Sequence, residues 1–306
     1  MILNGQTILI TGVNGFLGRN LAKIYSNQGA NIVGIGHGEF KSDELKKYGI
    51  SKFCSDDVNL PNLINCCKNP DKIIHCASGS SVPYSIYNPQ KDFEKSVNST
   101  ISILEYMRVN AKEARLVIPS SAAVYGQKSR MPISINDSLK PVSPYGNSKK
   151  IVESLSIFYA NFYKLKISIL RFFSLYGQGL KKQILWDACK KANSGEYNFS
   201  GTGFETRDLI HVEDASSLIL LALKNASHNP PIANGGMGQS ITIKELLSFL
   251  YKKKGSNFTP IFSGEERKGD PIFFEANIKE ALDWGWKPKW NWMKGVSDYV
   301  EWFENL

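Results

Sequence analysis

Short apolar runs and helical apolar stripes alternate along the first half of the chain, from residue 6 to residue 172. One apolar run covers residues 8–10, and residues 16–28 then repeat apolar positions at helical spacing. Another apolar run, residues 116–118, leads into the paired serines Ser120 and Ser121. Alternation of this kind is typical of parallel strands joined by helices and buried on both faces. The pattern therefore predicts an α/β fold with a doubly wound parallel sheet, in which residues 8–11 form a central strand.

Three glycines, Gly12, Gly15 and Gly18, lie between the first predicted strand and the first predicted helix. Glycines allow a tight turn and close backbone approach to a pyrophosphate, and the helix N-terminus offers free N–H groups to the phosphates. The spacing is G-x-x-G-x-x-G rather than G-x-G-x-x-G, but its place between strand and helix indicates a Rossmann-like dinucleotide-binding fold.

Two longer segments have apolar stripes at helical spacing. In residues 92–110 the stripe is Val97, Ile101, Leu104 and Met107. In residues 145–163 it is Ile151, Leu155, Phe158 and Phe162. Each helix needs one apolar stripe to pack on the sheet, so the stripes predict two helices but not by themselves an interface.

Tyr145 and Lys149 are four residues apart at the start of the second of these helices, so they share one helix face. A phenol normally keeps its proton until about pH 10. A neighbouring ammonium, aided by a cationic nicotinamide, would lower the pKa of Tyr145 and let it exchange a proton with a sugar hydroxyl or ketone. The pair alone also fits an ordinary exposed helix start; the glycine turn and the strand that ends in Ser121 favour catalysis.

Together, these three segments resemble the extended short-chain dehydrogenase/reductase family, in its nucleotide-sugar branch, and the resemblance covers essentially the whole chain. It implies that Ser121, Tyr145 and Lys149 are a catalytic triad. The family's tyrosine is the acid/base, its lysine orients the nicotinamide ribose and lowers the tyrosine pKa, and its serine hydrogen-bonds the reacting sugar oxygen.

The resemblance also implies two sets of binding residues. With the glycine turn, the cofactor set is Gly12, Asn14, Gly15, Phe16, Leu17, Gly18, His37, Asp57, Val58, Ala77, Ser78, Tyr145, Lys149 and Phe172. The set for a nucleotide-diphosphate sugar is Ser81, Ser121, Ala122, Ser174, Arg207, Arg267 and Asp270. Ser174 stands where relatives usually have an asparagine that contacts the substrate diphosphate, and its hydroxyl can still donate to a phosphate.

Two lobes and a dimer follow from the same resemblance. Residues 1–173 plus about 209–235 are expected to bind the dinucleotide. Residues 174–208 plus 236–306 are expected to form a smaller C-terminal α/β lobe for the nucleotide sugar. Because family members commonly pair two such helices from each subunit, a homodimer through helices 92–110 and 145–163 is expected.

The second predicted strand covers residues 31–35, and the residue that follows it bears on the choice of cofactor. Members that bind NAD usually have an Asp or Glu there, which holds the ribose hydroxyls. This chain has Gly36, followed by His37, and Arg19 or Lys41 is expected to lie nearby in the fold. A 2′-phosphate would meet no carboxylate at Gly36, so the sequence favours NADP(H), with NAD(H) as the alternative.

Composition narrows the class of protein. The chain has 306 residues, 42% of them hydrophobic and 21% charged, as in globular proteins without membrane spans. The net charge is +9, but the lysines are dispersed, so anionic small ligands fit better than nucleic acid. Met1 leads almost directly into the first strand, so a cytoplasmic protein without a signal peptide is expected. Five scattered cysteines without a C-x-x-C pair predict reduced thiols and no metal site.

The reaction class depends on the two residues after Ser121. The family's 4,6-dehydratases use an Asp-Glu pair at that position, and here it is Ala122–Ala123, so dehydration is disfavoured. Reduction of a 4-keto sugar is favoured because of Gly36. The alternatives are a 4-epimerase and a C4 oxidation with tightly retained NAD. A non-enzymatic nucleotide-binding protein is disfavoured because Tyr145 and Lys149 are both present.

Overall fold

The computed structural model describes residues 3–79, 81–256, 258–265 and 272–306. In the first part of the chain the elements are β1 Thr7–Thr11, α1 Phe16–Ser26, β2 Asn31–Gly36, α2 Ser42–Tyr48, β3 Ile50–Ser55, α3 Leu60–Cys66, β4 Lys72–His75, α4 Val82–Tyr87, α5 Pro89–Phe93, α6 Ser99–Asn110, β5 Arg115–Ser121, α7 Pro144–Tyr163 and β6 Lys166–Phe172. A π-helical turn, Glu94–Asn98, joins α5 to α6.

The later elements begin directly after β6. They are β7 Ser174–Tyr176, α8 Gln183–Ser194, β8 Asn198–Phe199, β9 Thr206–His211, α9 Val212–Asn225, β10 Ile232–Gly235, β11 Ser240–Thr242, α10 Ile243–Lys253, β12 Ile261–Phe262, α11 Lys279–Asp283 and α12 Trp292–Glu304.

Seven strands form one sheet, in the order β10-β6-β5-β4-β1-β2-β3, and every pairing in it is parallel. β1 lies inside this sheet between β2 and β4. The strand order reverses at β1, which places a crevice at the carboxyl ends of β1 and β4, where open α/β sheets bind their ligands. The predicted Rossmann-like doubly wound fold, with the first strand central, is confirmed.

A smaller α/β unit follows β6. In it, β11, β9 and β7 form a three-stranded sheet, and β8 pairs with β12. Its apolar core includes Leu185 of α8, Leu246 and Leu250 of α10, and Val296 and Tyr299 of α12. α9 and β10 return to the main sheet. In the part of the chain that the structure describes, no helix has the length and apolar content to cross a bilayer.

The two helices with predicted stripes differ in how they pack. On α6, Leu104 and Met107 are fully buried, as expected, and Ile101 is 38% exposed. On α7, Ile151 and Leu155 are partly buried and pack against the apolar core, whereas Phe158 is 53% and Phe162 67% exposed. The inner face of α7 carries small and polar residues, among them Ser148, Lys149, Glu153, Ser156 and Ala160. The second half of the α7 stripe, Phe158 and Phe162, therefore does not pack on the sheet, which small and polar residues of α7 face instead.

A buried ion pair connects α7 to the sheet. Arg171 on β6 and Glu153 on α7 are 4% and 2% exposed, and Arg171 Nη2 donates to Glu153 Oε2 at 2.8 Å. Ser120 donates to Glu153 Oε1 at 2.5 Å, and Arg171 Nη1 donates to the Tyr125 hydroxyl at 3.0 Å. Tyr125 in turn donates to Asn234 Oδ1 at 2.7 Å. The network therefore ties together the ends of β5, β6 and β10.

Two of the five cysteines form a disulfide, so the expectation of reduced thiols is wrong for this pair. Cys54 of β3 and Cys66 at the end of α3 are twelve residues apart, with their Cα atoms 6.0 Å apart. The short helix α3 returns the chain beside the edge strand, a proximity that their spacing alone does not reveal. Cys67, Cys76 and Cys189 remain free thiols.

The buried ion pair generates a stability prediction. Arg171→Met leaves the Glu153 carboxylate buried without its partner, so we expect it to lower the free energy of unfolding by about 3–5 kcal/mol. The control is Lys166→Met, which removes an ion pair to Glu113, a residue 86% exposed. That change should cost less than about 1 kcal/mol. Urea denaturation measures both, and equal effects would contradict the role given to Arg171.

Candidate active site

The glycine turn brings backbone against backbone. Gly12 has φ +65°, and a Cβ there would lie 2.7 Å from the amide nitrogen of Ala77 at the end of β4. A Cβ on Gly18 would lie 2.6 Å from the Gly12 carbonyl oxygen. Side chains at these positions would force β1, β4 and α1 apart. The turn therefore needs glycine at both positions, as the sequence pattern predicts.

The same turn offers groups suited to a dinucleotide. Helix α1 begins after Gly15 with no side-chain cap, so its first N–H groups remain available to a phosphate. Asn14 donates through Nδ2 to the His37 carbonyl, whereas its Oδ1 is buried without a partner among the described residues. A buried orphan acceptor beside open helix amides fits a bound ligand. The residues present therefore fit a nicotinamide dinucleotide.

Ser121, Tyr145 and Lys149 converge from two elements. Ser121 ends β5, and its hydroxyl accepts from the Ala123 amide at 3.2 Å. Tyr145 is the second residue of α7, and its amide donates to Ser85 Oγ at 3.0 Å. Lys149 lies one turn later, with Nζ 5.9 Å from the centre of the Tyr145 ring. The predicted catalytic residues are thus brought together at the carboxyl edge of the sheet.

Burial dominates the electrostatics of this triad. Burial raises the pKa of Tyr145, the Ser121 hydroxyl opposes the rise, and the Asp92 carboxylate adds to it. Burial lowers the pKa of Lys149 to about 8, and its ammonium donates to the Pro119 carbonyl at 2.9 Å. In the chain alone the pKa of Tyr145 is therefore raised, because the loss of hydration is the largest effect, and the lowering of this pKa by Lys149 stays a prediction.

His75 lies at the end of β4 and has a structural environment. Its Nδ1 is 2.8 Å from the Thr11 hydroxyl, and its Nε2 is 3.2 Å from the Thr100 hydroxyl. Burial lowers its pKa to about 3, so the imidazole is neutral at physiological pH. Thr11 also accepts from the Ala77 amide at 3.1 Å. His75 thus supports the turn that follows β4.

One cleft of about 1550 Å³ runs from the glycine turn to the smaller α/β unit. This volume exceeds the usual range for one small ligand and can hold two. Every predicted cofactor residue lines it, and so do Ser81, Ser121, Ala122, Ser174 and Arg207 from the predicted substrate set. Arg267 and Asp270 lie outside the described residues.

Two of the three proposed partners of a 2′-phosphate, His37 and Arg19, pair with carboxylates. His37 Nε2 lies 3.0 Å from Asp57 Oδ1, so a carboxylate stands beside the imidazole. Arg19 pairs with Glu44 at 3.6 Å and lies over the Phe40 ring, with Cζ 4.9 Å from the ring centre. Neither Arg19 nor Lys41 lines the cleft in the part of the chain that the structure describes.

The structure adds residues that sequence reasoning missed. Ser96, in the π-helical turn, accepts from the Gly79 amide at 2.9 Å and fixes the loop after β4. Asp92 is fully buried on α5, which packs against α7. Lys182 lines the cleft just before α8. A π-helical turn often marks a functional site, but no sequence pattern announces one. The described residues contain no group of three metal-ligating side chains.

Comparison with known proteins agrees with this geometry. The family model described as "NAD dependent epimerase/dehydratase family" matches residues 8–236. The chain therefore belongs to the NAD-dependent epimerase/dehydratase family, which confirms the resemblance drawn from its motifs.

Individual relatives match along nearly the full length. A putative UDP-glucose 4-epimerase of Methanocaldococcus jannaschii is 30% identical over 97% of this chain and 98% of its own length. The structure of MoeE5 in complex with UDP-glucuronic acid and NAD is 26% identical, with a TM-score of 0.88 over 98% of this chain and 99% of that one. A UDP-glucose 4-epimerase from Thermotoga maritima, 24% identical, shares the fold with a TM-score of 0.89 over 98% and 99%.

Proposed function

We propose that this protein is a nucleotide-sugar 4-epimerase that retains NAD. The observation that carries the proposal is the convergence of Ser121, Tyr145 and Lys149 on one cleft large enough for a dinucleotide and a nucleotide sugar. Ala122 and Ala123, which follow the serine, offer no second acid/base pair. C4 oxidation followed by return of the hydride to the opposite face needs only one acid/base residue.

Each residue of the triad has a distinct part in this reaction. Ser121 hydrogen-bonds the C4 oxygen of the sugar, and Tyr145 takes the proton of the C4 hydroxyl. Lys149 holds the nicotinamide ribose and, as an ammonium, opposes the effect of burial on Tyr145. NAD, when bound, accepts the C4 hydride and returns it. Tyr145 then gives the proton back to the oxygen of the 4-keto sugar, so that the enzyme ends the cycle unchanged.

Epimerisation is favoured over the 4-keto reduction that the sequence favoured. The argument for reduction rested on NADPH, and it is weaker because two of the three candidate partners of a 2′-phosphate, His37 and Arg19, pair with carboxylates. The relative from Methanocaldococcus jannaschii, 30% identical over nearly the whole chain, bears the name of a 4-epimerase. Both observations support return of the hydride to the same sugar.

The nucleotide end of the substrate is assigned to the smaller α/β unit. Ser174 on β7 and Arg207 on β9 belong to neighbouring strands of the three-stranded sheet, and both residues line the cleft. A guanidinium binds phosphate oxygens in a bidentate way. Residues 1–173 plus about 209–235 would then hold the cofactor, and residues 174–208 plus 236–306 the nucleotide sugar. MoeE5, which binds UDP-glucuronic acid, supports a UDP-sugar as the first substrate to test.

A homodimer through α6 and α7 is part of the proposal. Phe158 and Phe162 stack with ring centres 5.6 Å apart on the outer face of α7. Ile101 on α6 is partly exposed as well. Exposed stacked aromatics are unusual on a monomer surface and are enriched at interfaces. They support the family-based expectation of a four-helix interface.

The first prediction concerns the reaction itself. The purified protein, with no added nicotinamide, should convert at least one of UDP-glucose, UDP-N-acetylglucosamine and UDP-glucuronic acid into its C4 epimer, detected by proton NMR. Tyr145→Phe removes the acid/base and should reduce turnover by about 10²–10⁴-fold. Tyr163→Phe, at the far end of the same helix, is the control and should remain active. Equal activity of wild type and Tyr145→Phe would contradict the proposal.

The second prediction concerns the cofactor. We expect NADH to bind at least about tenfold more tightly than NADPH, because a 2′-phosphate would approach the Asp57 carboxylate and each like-charge contact costs about 1 kcal/mol in water. Asp57→Asn should narrow this difference. Asp56→Asn, an exposed neighbour outside the cleft, should leave it unchanged. Fluorescence titration measures all of these affinities, and tighter NADPH binding would restore the reductase alternative.

The third prediction concerns assembly. Phe162→Glu places a charge in the exposed patch on α7 and should shift the protein from dimer to monomer in sedimentation velocity. Phe204→Glu, at a residue 66% exposed outside α6 and α7, is the matched control and should leave the dimer intact. A wild-type protein that sediments as a monomer would refute the dimer.

A further inference from the structure

Asp92 is a buried acid without an evident partner. It lies on α5 with no exposed surface, and neither carboxylate oxygen accepts a hydrogen bond of good geometry from the described residues, although the Ser148 hydroxyl is close enough to lower the pKa of Asp92. Burying a carboxylate without hydrogen bonds is costly, and such groups cluster at functional sites. An acid at this position, rather than an amide or an apolar residue, therefore indicates a functional role.

The surroundings of Asp92 connect it to the catalytic helix. A Cβ on Gly79 would lie 1.9 Å from Asp92 Oδ1, so the carboxylate packs against the loop that lines the cleft. Burial raises the pKa of Asp92, whereas the Ser148 hydroxyl and the Lys149 ammonium, both on α7, lower it. The acid thus lies between the loop after β4 and the residues that carry the triad.

The charges around Lys149 show what the acid could do there. Burial lowers the pKa of the Lys149 ammonium to about 8, and Cys76, Asp92 and Glu153 oppose this shift to the extent that each carries a negative charge. Glu153 is already paired with Arg171, so this pair has no net charge. From β4, His75 is neutral, and burial raises the pKa of the Cys76 thiol to about 12, so it is neutral as well.

Asp92 is thus the one uncompensated anion among the charged groups that act on Lys149 in the described residues. We propose that Asp92 is a positioning residue of the active site, whose buried carboxylate is the counter-ion that keeps Lys149 charged beside Tyr145. It acts through space rather than through a hydrogen bond, which leaves the lysine's N–H groups for the Pro119 carbonyl and for a ribose.

The direction of the pH effect follows from the sign of the charge. Removal of the Asp92 carboxylate disfavours the Lys149 ammonium, so the pKa of Lys149 falls. It also removes an anion that disfavours the Tyr145 phenolate, so the pKa of Tyr145 falls. Activity needs a charged lysine and a tyrosine that can accept a proton. Both limbs of the pH profile of kcat/KM should therefore move to lower pH in Asp92→Asn.

The activity profile rests on the proposed function, so a second measurement avoids it. Competitive acetylation with acetic anhydride between pH 6 and 10, followed by mass spectrometry of the peptide that contains Lys149, reports the pKa of this lysine in the protein alone. In Asp92→Asn we expect the titration of Lys149 to move down by on the order of one pH unit. Ser148→Ala, which removes a hydroxyl that favours ionised Asp92, should cause a smaller shift in the same direction.

Glu94→Gln is the matched control, because it removes an exposed acid two residues away and should shift nothing. The Tm of Asp92→Asn should not fall, since the variant removes an unpaired buried charge. An unchanged Lys149 titration in both Asp92→Asn and Ser148→Ala would overturn the proposal. A lowered Tm with uniform loss of activity at every pH would assign Asp92 a structural role instead. A shifted Lys149 titration in a protein without epimerase activity would support Asp92 and reject only the proposed function.

Discussion

The active site depends on the buried ion pair between Arg171 and Glu153. Through Ser120, the pair fixes the end of β5, and the next residue is the serine of the triad. Glu153 lies one helical turn after Lys149, so the same pair orients the face of α7 that carries Tyr145 and Lys149. Through Tyr125 and Asn234 it also reaches β10. The positions of Ser121, Tyr145 and Lys149 are therefore supported by a network of polar side chains, of which Ser120 lines the cleft and Glu153 and Arg171 do not.

The burial of Tyr145 and Lys149 explains their shifted pKa values. Burial lowers the pKa of Lys149 and raises that of Tyr145. In the protein alone, burial therefore disfavours the ammonium and the phenolate, which are the charged forms that the proposed reaction uses. Nearby anions and a bound cationic nicotinamide act in opposite directions on the tyrosine. Such a site is sensitive to each charge within it, because a low dielectric strengthens every electrostatic interaction. An isolated carboxylate such as Asp92 can therefore influence the triad without touching it.

Much of the fold and of the cleft could be predicted from the sequence. The glycine turn, the central first strand and the shared helix face of Tyr145 and Lys149 follow from local patterns, since each pattern reflects a backbone constraint or a fixed helical spacing. Three features could not be predicted: the exposure of Phe158 and Phe162 on α7, the Cys54–Cys66 disulfide and the His37–Asp57 pair. Each depends on segments that are distant in sequence and meet only in the folded chain. Gly36 correctly indicated that the carboxylate at the end of β2 is missing, but it could not reveal that Asp57, in the loop after β3, pairs with His37.

The most direct test of the account follows the hydrogen at C4. A UDP-sugar that the enzyme accepts, deuterated at C4, is incubated with the purified protein and no added nicotinamide, and the product is examined by NMR and mass spectrometry. The account predicts that the C4 epimer retains the deuterium, because the hydride leaves and returns within one active site. Loss of the deuterium from the product, or turnover that requires stoichiometric NADPH and a 4-keto sugar, would contradict it.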